Sequence, residues 1–185
     1  LDLLADIRGE VDKALAEGVP LDDFQKRLMP RLKAKGWWGR DENGALLGSP
    51  HRMETIYRTN LQTAYMAGRY KEMAANADDR PFWRYVAVLD SRTRPSHSAL
   101  NGKVFRFDDP FWNTHYPPLG FNCRCRTRAL TVDQVNRGNY KVETGRGNME
   151  TKVVEVGGQG RTVTGWRDGS GVVRYTDPGW SYNPG

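Results

Sequence analysis

Residues 90–125 read DSRTRPSHSALNGKVFRFDDPFWNTHYPPLGFNCRC, and this stretch collects most of the unusual side chains of the chain. It holds both cysteines, two of the three histidines and four of the ten prolines. Connecting loops need only polar residues, so such a concentration of rare side chains favours a built site over a linker. We therefore expect the other segments of the chain to support this one.

Length and composition predict one moderate hydrophobic core with extensions, since the chain has 185 residues of which 38% are hydrophobic. The sequence has no signal-peptide pattern and no apolar run near the roughly 18 residues that a membrane helix needs. We therefore expect a soluble, intracellular protein without a membrane partner, trimmed before Leu1. Two cysteines in a Cys-x-Cys spacing suit a reducing compartment, because a disulfide across one residue is strained.

The positive charge is concentrated in residues 80–128. This region has nine Lys or Arg and three Asp, whereas the rest of the chain has 19 basic and 19 acidic residues. A localised basic surface indicates a polyanionic or acidic partner. The alternative is that these arginines bind backbone carbonyls or stack on aromatic rings. The candidate contact residues are Arg84, Arg92, Arg94, Lys103, Arg106, Arg124, Arg126 and Arg128.

The first part of the chain has the apolar spacing of helices. Residues 3–15 and 21–36 each place apolar side chains on one helical face, with a kink expected at Pro30 in the second. A third and longest helix should begin at Pro50 and continue to about Ala77. Small residues around Gly68 on this helix predict the close approach of another element.

The second part of the chain has the pattern of strands. Residues 82–90 predict a central strand, because both faces are apolar, and residues 103–107 and 123–130 predict two more. Thr131 should cap a short helix. After residue 139, β-prone runs alternate with Gly-rich turns, which is typical of a β-meander that packs on the main body or on a partner.

These patterns predict an α+β fold. It has a helical N-terminal half, a small mixed or antiparallel sheet with long loops, and a β-rich C-terminal extension. The expected domains are residues 1–138, with helices in 1–79 and the sheet and loops in 80–138, and the extension in 139–185.

A metal site is one possible chemistry of residues 90–125. His97, Cys123 and Cys125 are suitable zinc ligands, and Asp90 or His115 could complete the set. The spacing is not that of a zinc finger, although Cys-x-Cys on a strand points both side chains to one face. Such cysteines more often pack as small apolar side chains in a core than bind a metal. We therefore expect no cofactor, with zinc as the alternative.

Two catalytic arrangements are also conceivable. A Cys–His pair oriented by Asp90 could form a thiol nucleophile, but nothing in the sequence supplies an oxyanion hole. Asp90, His97 and Asp108 could assist metal-dependent phosphodiester cleavage, but the acidic residues are too sparse for two metals. We therefore predict no catalytic residues.

A structural role is the third reading of this segment. An arginine such as Arg92 or Arg124 could form a two-point ion pair with Asp90 or Asp109 and lock the loops into a rigid basic surface. The predicted core of these loops consists of Asp90, His97, Trp112, Cys123 and Cys125.

Three stretches resemble the phage Mu F-like minor head proteins, also called head morphogenesis proteins. They are YRTNLQTAYMAGRY (57–70), DSRTRPSHSALNGKVF (90–105) and DDPFWNTHYPPLGFNCRCR (108–126), and the resemblance runs from the first helices to about Leu130. It implies a low-copy head (capsid) protein of a tailed phage or prophage that acts in head morphogenesis and genome packaging or delivery.

The same resemblance implies partners and a location. The partners would be portal and capsid proteins, and phage DNA bound without sequence preference, with no membrane. The location would be the virion, and the host cytoplasm during assembly. Mu F-like segments also look like modules found beside toxins, so the alternative is a toxin-like nuclease or nucleotide-modifying domain carried by a phage element.

Overall fold

A computed structural model describes residues 3–185 and divides the chain into two compact units, with the boundary in the sequence between Ala64 and Tyr65. Helices dominate the first unit, and two small antiparallel sheets with short helices form most of the second. This confirms the predicted α+β class.

The first unit is built from helices and a small hairpin. Its elements are α1 (Leu3–Glu17), α2 (Leu21–Ala34), β1 (Gly39–Arg40), β2 (Leu46–Gly48) and the first part of α3 (Pro50–Ala75). The apolar stripe predicted for α2 is fully buried at Phe24, Leu28 and Leu32, where it forms one core with Met53 of α3. The helix continues through Pro30.

Helix α3 has 26 residues and is the longest helix between residues 3 and 185. The expected close approach at Gly68 is wrong for the described residues, because a Cβ placed there would meet nothing within 4 Å. None of the helices in this part of the chain is long and apolar enough to cross a membrane.

The second unit contains a three-stranded antiparallel sheet in the order β4-β3-β5. Its elements are β3 (Phe82–Val86), α4 (Pro95–Ser98), β4 (Val104–Arg106), α5 (Trp112–His115), β5 (Arg126–Leu130) and α6 (Val132–Arg137). The central position predicted for β3 is confirmed. Thr131 caps α6 through a capping box with Gln134, as expected for Thr at this position.

The strands are shorter than their sequence patterns suggest. β3 ends at Val86, because the N–H of Ala87 donates to the side chain of Asn101 (3.0 Å) and not to a neighbouring strand. β5 begins at Arg126, so both cysteines lie in the extended segment that leads into it.

The two faces of this sheet differ in character. Register pairs Trp83 with Phe105 and Tyr85 with Thr127, and all four side chains are fully buried. The opposite face contains Arg84, paired with Arg128, and the exposed Arg126. Alternation along the strands therefore puts the aromatic core on one face and these arginines on the other, where Val104 and Leu130 form a smaller buried cluster with Val135 of α6.

The C-terminal part forms a second antiparallel sheet, with β6 (Met149–Val156), β7 (Gln159–Arg167) and β8 (Val173–Tyr175) in sequence order. Trp166 of β7 packs 5.1 Å from Phe105 and 5.5 Å from Phe111, measured between ring centroids. Residues 65–185 form one compact unit, in which β7 shares its core with the first sheet.

Candidate functional site

His97, Cys123 and Cys125 converge in the interior of the second unit. The Nδ1 atom of His97 lies 3.6 Å from the Sγ atom of Cys123 and 3.9 Å from that of Cys125. The candidate ligand atoms of the three residues all lie within 4.8 Å of one another. Both cysteines are buried and Arg124 between them is exposed, which confirms that Cys-x-Cys directs its side chains to one side.

Different elements position the three residues. His97 lies on α4, which begins with Pro95, a residue whose fixed φ suits the first turn of a helix. The cysteines precede β5, and Asn122 just before them has a φ of 57°, a conformation that asparagine tolerates better than most residues. The fold therefore brings together the same three residues that the sequence pattern indicated as zinc ligands, although His97 lies 26 residues from Cys123 in the sequence.

Burial and mutual contact set the ionisation of this cluster. The hydrogen bond from Cys125, which is the largest cause, and contact with His97 together lower the pKa of the Cys123 thiol to about 4, against the effect of burial. The same thiol–thiol bond, together with burial, raises the pKa of Cys125 above its ordinary value. Burial also raises the pKa of Tyr85, whose hydroxyl lies beside both thiols. No sequence pattern indicated Tyr85 as a member of this site, because its alternating strand predicts burial but not its neighbours.

Asp90 and His115, the other metal ligands considered, have other partners. Asp90 binds Arg124, and the ring of His115 bonds to the backbone oxygen of Arg174 through Nε2 (3.0 Å) and to Thr114 through Nδ1 (2.9 Å). Burial lowers the pKa of His115 to about 4. Among residues 3–185, only His97, Cys123 and Cys125 form a group of three His, Cys, Asp or Glu with convergent ligand atoms.

An ion pair closes the loops outside the cluster. Arg124 donates from Nη1 to one oxygen of Asp90 (2.8 Å) and from Nη2 to the other (2.6 Å). Asp90 also accepts the backbone N–H of Arg92 (3.1 Å). The predicted two-point ion pair is therefore confirmed for Arg124 and Asp90. Asp109 instead accepts from the Gly145 backbone and from Thr144.

The remaining member of the predicted loop core, Trp112, lies in the aromatic cluster of the second unit. It is buried beside Trp83 and Phe105, at 5.7 Å between ring centroids in both cases. Its indole N–H donates to the backbone oxygen of Arg106 (2.9 Å), so its polar atom is also satisfied.

Most of the eight basic candidates pair with acidic side chains. The pairs are Arg92 and Arg124 with Asp90, Arg94 with Asp177, Lys103 with Glu143, and Arg106 with Asp108. Asp177 and Glu143 are distant in sequence from their partners, so no local pattern indicated them. These ion pairs remove much of the local charge that the composition suggested.

Three of the candidates have no carboxylate partner among the described residues. They are Arg84, Arg126 and Arg128, and we name them the basic sheet face, because strand register puts all three on one side of the first sheet. Arg84 stacks 4.8 Å from the ring centroid of Tyr140 and donates to its hydroxyl (2.8 Å). Arg126 and Arg128 are exposed. The basic candidates without a carboxylate partner among the described residues therefore lie on one face of this sheet, with Arg126 and Arg128 exposed and Arg84 half-buried.

Comparison with known proteins gives a consistent family. The family model described as Phage Mu protein F like protein matches residues 5–128. The chain is 46% identical to the protein of Escherichia phage Mu named "Putative capsid assembly protein F", over 100% of the chain and 45% of that protein. It is 44% identical to the "Mu-like prophage FluMu F protein" of Haemophilus influenzae, over 100% of the chain and 47% of that protein.

The chain thus spans about half the length of these curated relatives. No solved structure matches it significantly.

Proposed function

This chain belongs to the family of Phage Mu protein F like proteins, and on that premise we propose that it is a minor head protein of a tailed phage or prophage. The observation that carries the proposal is the alignment of the whole chain, at 46% identity, with a phage Mu protein whose name refers to capsid assembly. The buried aromatic core and the closed ion pairs suit a structural component.

The finer part of the proposal is that the chain contacts head proteins and DNA during head assembly and genome packaging or delivery. Nonspecific DNA binding relies on cations whose charge is not already paired with a carboxylate. In this chain the basic sheet face supplies such cations, whereas the five ion-paired residues would have to give up a carboxylate first. We therefore assign DNA contact to Arg84, Arg126 and Arg128.

The salt dependence of DNA binding tests this assignment. The logarithm of the affinity falls with the logarithm of salt concentration by about 0.9 per phosphate neutralised. Three contacts predict a slope of about −3, and contacts from all eight candidates would give about −7. A slope near −3 supports the basic sheet face, and an affinity independent of salt would exclude phosphate contact.

A matched pair of double variants localises the contact. We expect Arg126→Gln/Arg128→Gln to abolish most of the salt-dependent binding to duplex DNA. Arg92→Gln/Arg106→Gln removes the same charge from ion-paired positions and should leave binding nearly unchanged. An equal loss of DNA affinity in both variants would contradict the assignment. It would indicate that DNA responds to the overall positive charge and not to the basic sheet face.

Contact with portal or capsid proteins needs a different surface. The hairpin formed by β6 and β7 exposes Val153 (69%) and Val156 (45%), large exposures for apolar side chains. We assign the protein contact to this hairpin. Val153→Asp should reduce copurification with the portal or capsid protein of the same phage, whereas Thr151→Asp, an exposed position on the same strand, serves as the control.

Loss of head assembly in phage carrying Val153→Asp, with normal heads for Thr151→Asp, would support this assignment. Normal heads in both variants would overturn it.

The enzyme alternative predicts something different, namely hydrolysis or modification of DNA or nucleotides that is lost in His97→Gln or Asp90→Asn while the fold is retained. Such an activity would replace the head-protein proposal.

A further inference from the structure

We propose that His97, Cys123 and Cys125 bind a single zinc ion. Zinc bonds to sulfur at about 2.3 Å and to imidazole nitrogen at about 2.0–2.1 Å in a tetrahedral arrangement. These bond lengths place a nitrogen and a sulfur ligand about 3.6 Å apart. The observed distances from His97 Nδ1 to the two sulfurs, 3.6 and 3.9 Å, agree with that spacing.

Hydrogen bonding alone accounts poorly for this geometry. A ring nitrogen carries either one proton or one lone pair, so His97 Nδ1 can make one good hydrogen bond with a thiol. Here it lies close to two sulfurs at once, at 3.6 and 3.9 Å. A shared metal explains why both sulfurs approach the same nitrogen.

The ligand chemistry selects zinc or a similar soft ion. Two thiolates and one imidazole suit zinc, whereas calcium and magnesium prefer oxygen ligands. All three side chains are buried, at 2% exposure for His97 and Cys125 and 6% for Cys123. A divalent ion also balances the charge of two thiolates, so the site would bury no net charge.

The surrounding structure fixes the backbone segments that carry the three ligands. Pro95 begins the helix that presents His97, and the Arg124–Asp90 ion pair fixes the loop on the outer side of the two cysteines. The described residues offer three ligands, so we assign the fourth position to water, and the hydroxyl of Tyr85 lies beside the sulfurs. The metal would tie α4 to the segment that precedes β5.

Metal analysis of the chain purified under reducing conditions with zinc present tests the site. We expect about one zinc per chain, and replacement by cobalt should give visible absorption together with a thiolate-to-cobalt charge-transfer band. Zinc should also protect both thiols from a thiol reagent until a chelator is added. A folded wild-type chain that binds neither ion and leaves its thiols unprotected would overturn the proposal.

Variants identify the ligands. His97→Gln and Cys123→Ser should each lose most of the bound zinc, whereas His51→Gln, at an exposed histidine outside the cluster, should retain it. Circular dichroism establishes which variants fold. If Cys123→Ser does not fold, the cobalt spectra of the wild type and of His97→Gln decide the question. Zinc content that is unchanged in a folded His97→Gln variant would refute the assigned site.

Discussion

Arg124 binds both carboxylate oxygens of Asp90 from the position between the two cysteines, at 2.8 and 2.6 Å. This pair joins the loop after β3 to the segment before β5, across 34 residues of sequence. Planar two-point contacts of this kind are a property of arginine that lysine cannot reproduce. The pair therefore fixes a geometry as well as a charge.

We predict that Arg124→Lys lowers the thermal midpoint of unfolding, because it keeps the charge and loses the two-point contact. Arg92→Lys is the control, since Arg92 is more exposed and lies 3.8 Å from the same carboxylate. Differential scanning calorimetry compares the two. A midpoint for Arg124→Lys equal to that of the control would show that the contact contributes no rigidity.

The pH dependence of Asp90→Asn provides a second test of this pair. Arg124 holds the pKa of Asp90 well below its ordinary value. The ion pair therefore makes its full contribution to the stability of the folded state above the unfolded pKa of about 3.9. It is lost as the pH falls further, towards the folded pKa. The difference in thermal midpoint between wild type and Asp90→Asn should thus be larger at pH 7 than at pH 3. A constant difference would mean that the carboxylate charge is irrelevant.

We predict that the buried His115 makes the folded chain less stable in mild acid. Burial lowers its pKa to about 4, from an unfolded value of about 6.5, so the folded state binds fewer protons between these values. The free energy of unfolding has its full value above pH 6.5. It falls by on the order of 3 kcal/mol as the pH decreases to 4. Chemical denaturation at several pH values measures this change.

The matched variants for this prediction are His115→Gln and His51→Gln. Gln places a donor near the Nε2 position and carries no titrating group, so His115→Gln should flatten the stability profile between pH 4 and 6.5. His51 is exposed, and its replacement should leave the profile unchanged. Parallel profiles for wild type and His115→Gln would refute the assignment to this histidine.

The sequence predicted elements well where a repeated pattern carried the information. The stripe of Phe24, Leu28 and Leu32, the central β3 strand and the Thr131 cap all follow from spacing or from local capping chemistry. The Arg124–Asp90 pair was among the predicted combinations, because both residues lie in the same unusual segment.

Sequence patterns did not predict contacts between residues that are far apart in the chain. Asp177 and Glu143 neutralise Arg94 and Lys103 from positions in the extension, and nothing near these acids in sequence indicates their partners. Trp166 is similar, because an aromatic residue on an alternating strand predicts burial but not the core it joins. Sequence patterns therefore did not indicate which basic residues form ion pairs, and they left open whether the extension packs on the main body or on a partner.

Two glycines should respond in opposite directions to the same substitution. Gly68→Ala adds a methyl group in open space on helix α3 and should stabilise the chain by roughly 0.5–1 kcal/mol, because alanine is the better helix former. Gly145→Ala would put Cβ 2.7 Å from a carboxylate oxygen of Asp109 and 2.8 Å from the backbone nitrogen of Phe111. It should destabilise the chain by roughly 1–3 kcal/mol.

Urea unfolding of the two variants measures both changes. A stabilised Gly145→Ala would show that the contact with Asp109 relaxes freely. A destabilised Gly68→Ala would show that α3 is covered at this position in solution, for example by a second protein chain.

Trp166 should account for much of the cohesion between the two sheets of the second unit. Its side chain is 1% exposed and packs on Phe105 and Phe111, and its indole N–H donates to the backbone oxygen of Thr144 (2.9 Å). Trp166→Ala should cost roughly 3–5 kcal/mol of unfolding free energy, since it leaves a large cavity. It also leaves the Thr144 oxygen without its donor.

Val153→Ala on the neighbouring strand β6 is the matched control, because this valine is 69% exposed and its truncation should change stability by less than about 0.5 kcal/mol. Limited proteolysis adds a structural readout, since loss of the Trp166 contact should release residues 139–185 for cleavage while β3, β4 and β5 resist. The outcome that would contradict this prediction is a Trp166→Ala variant with the unfolding free energy and the cleavage pattern of the control. The β-rich extension would then be held by polar contacts, such as those of Asp109 with Thr144 and Gly145, and not by the shared aromatic core.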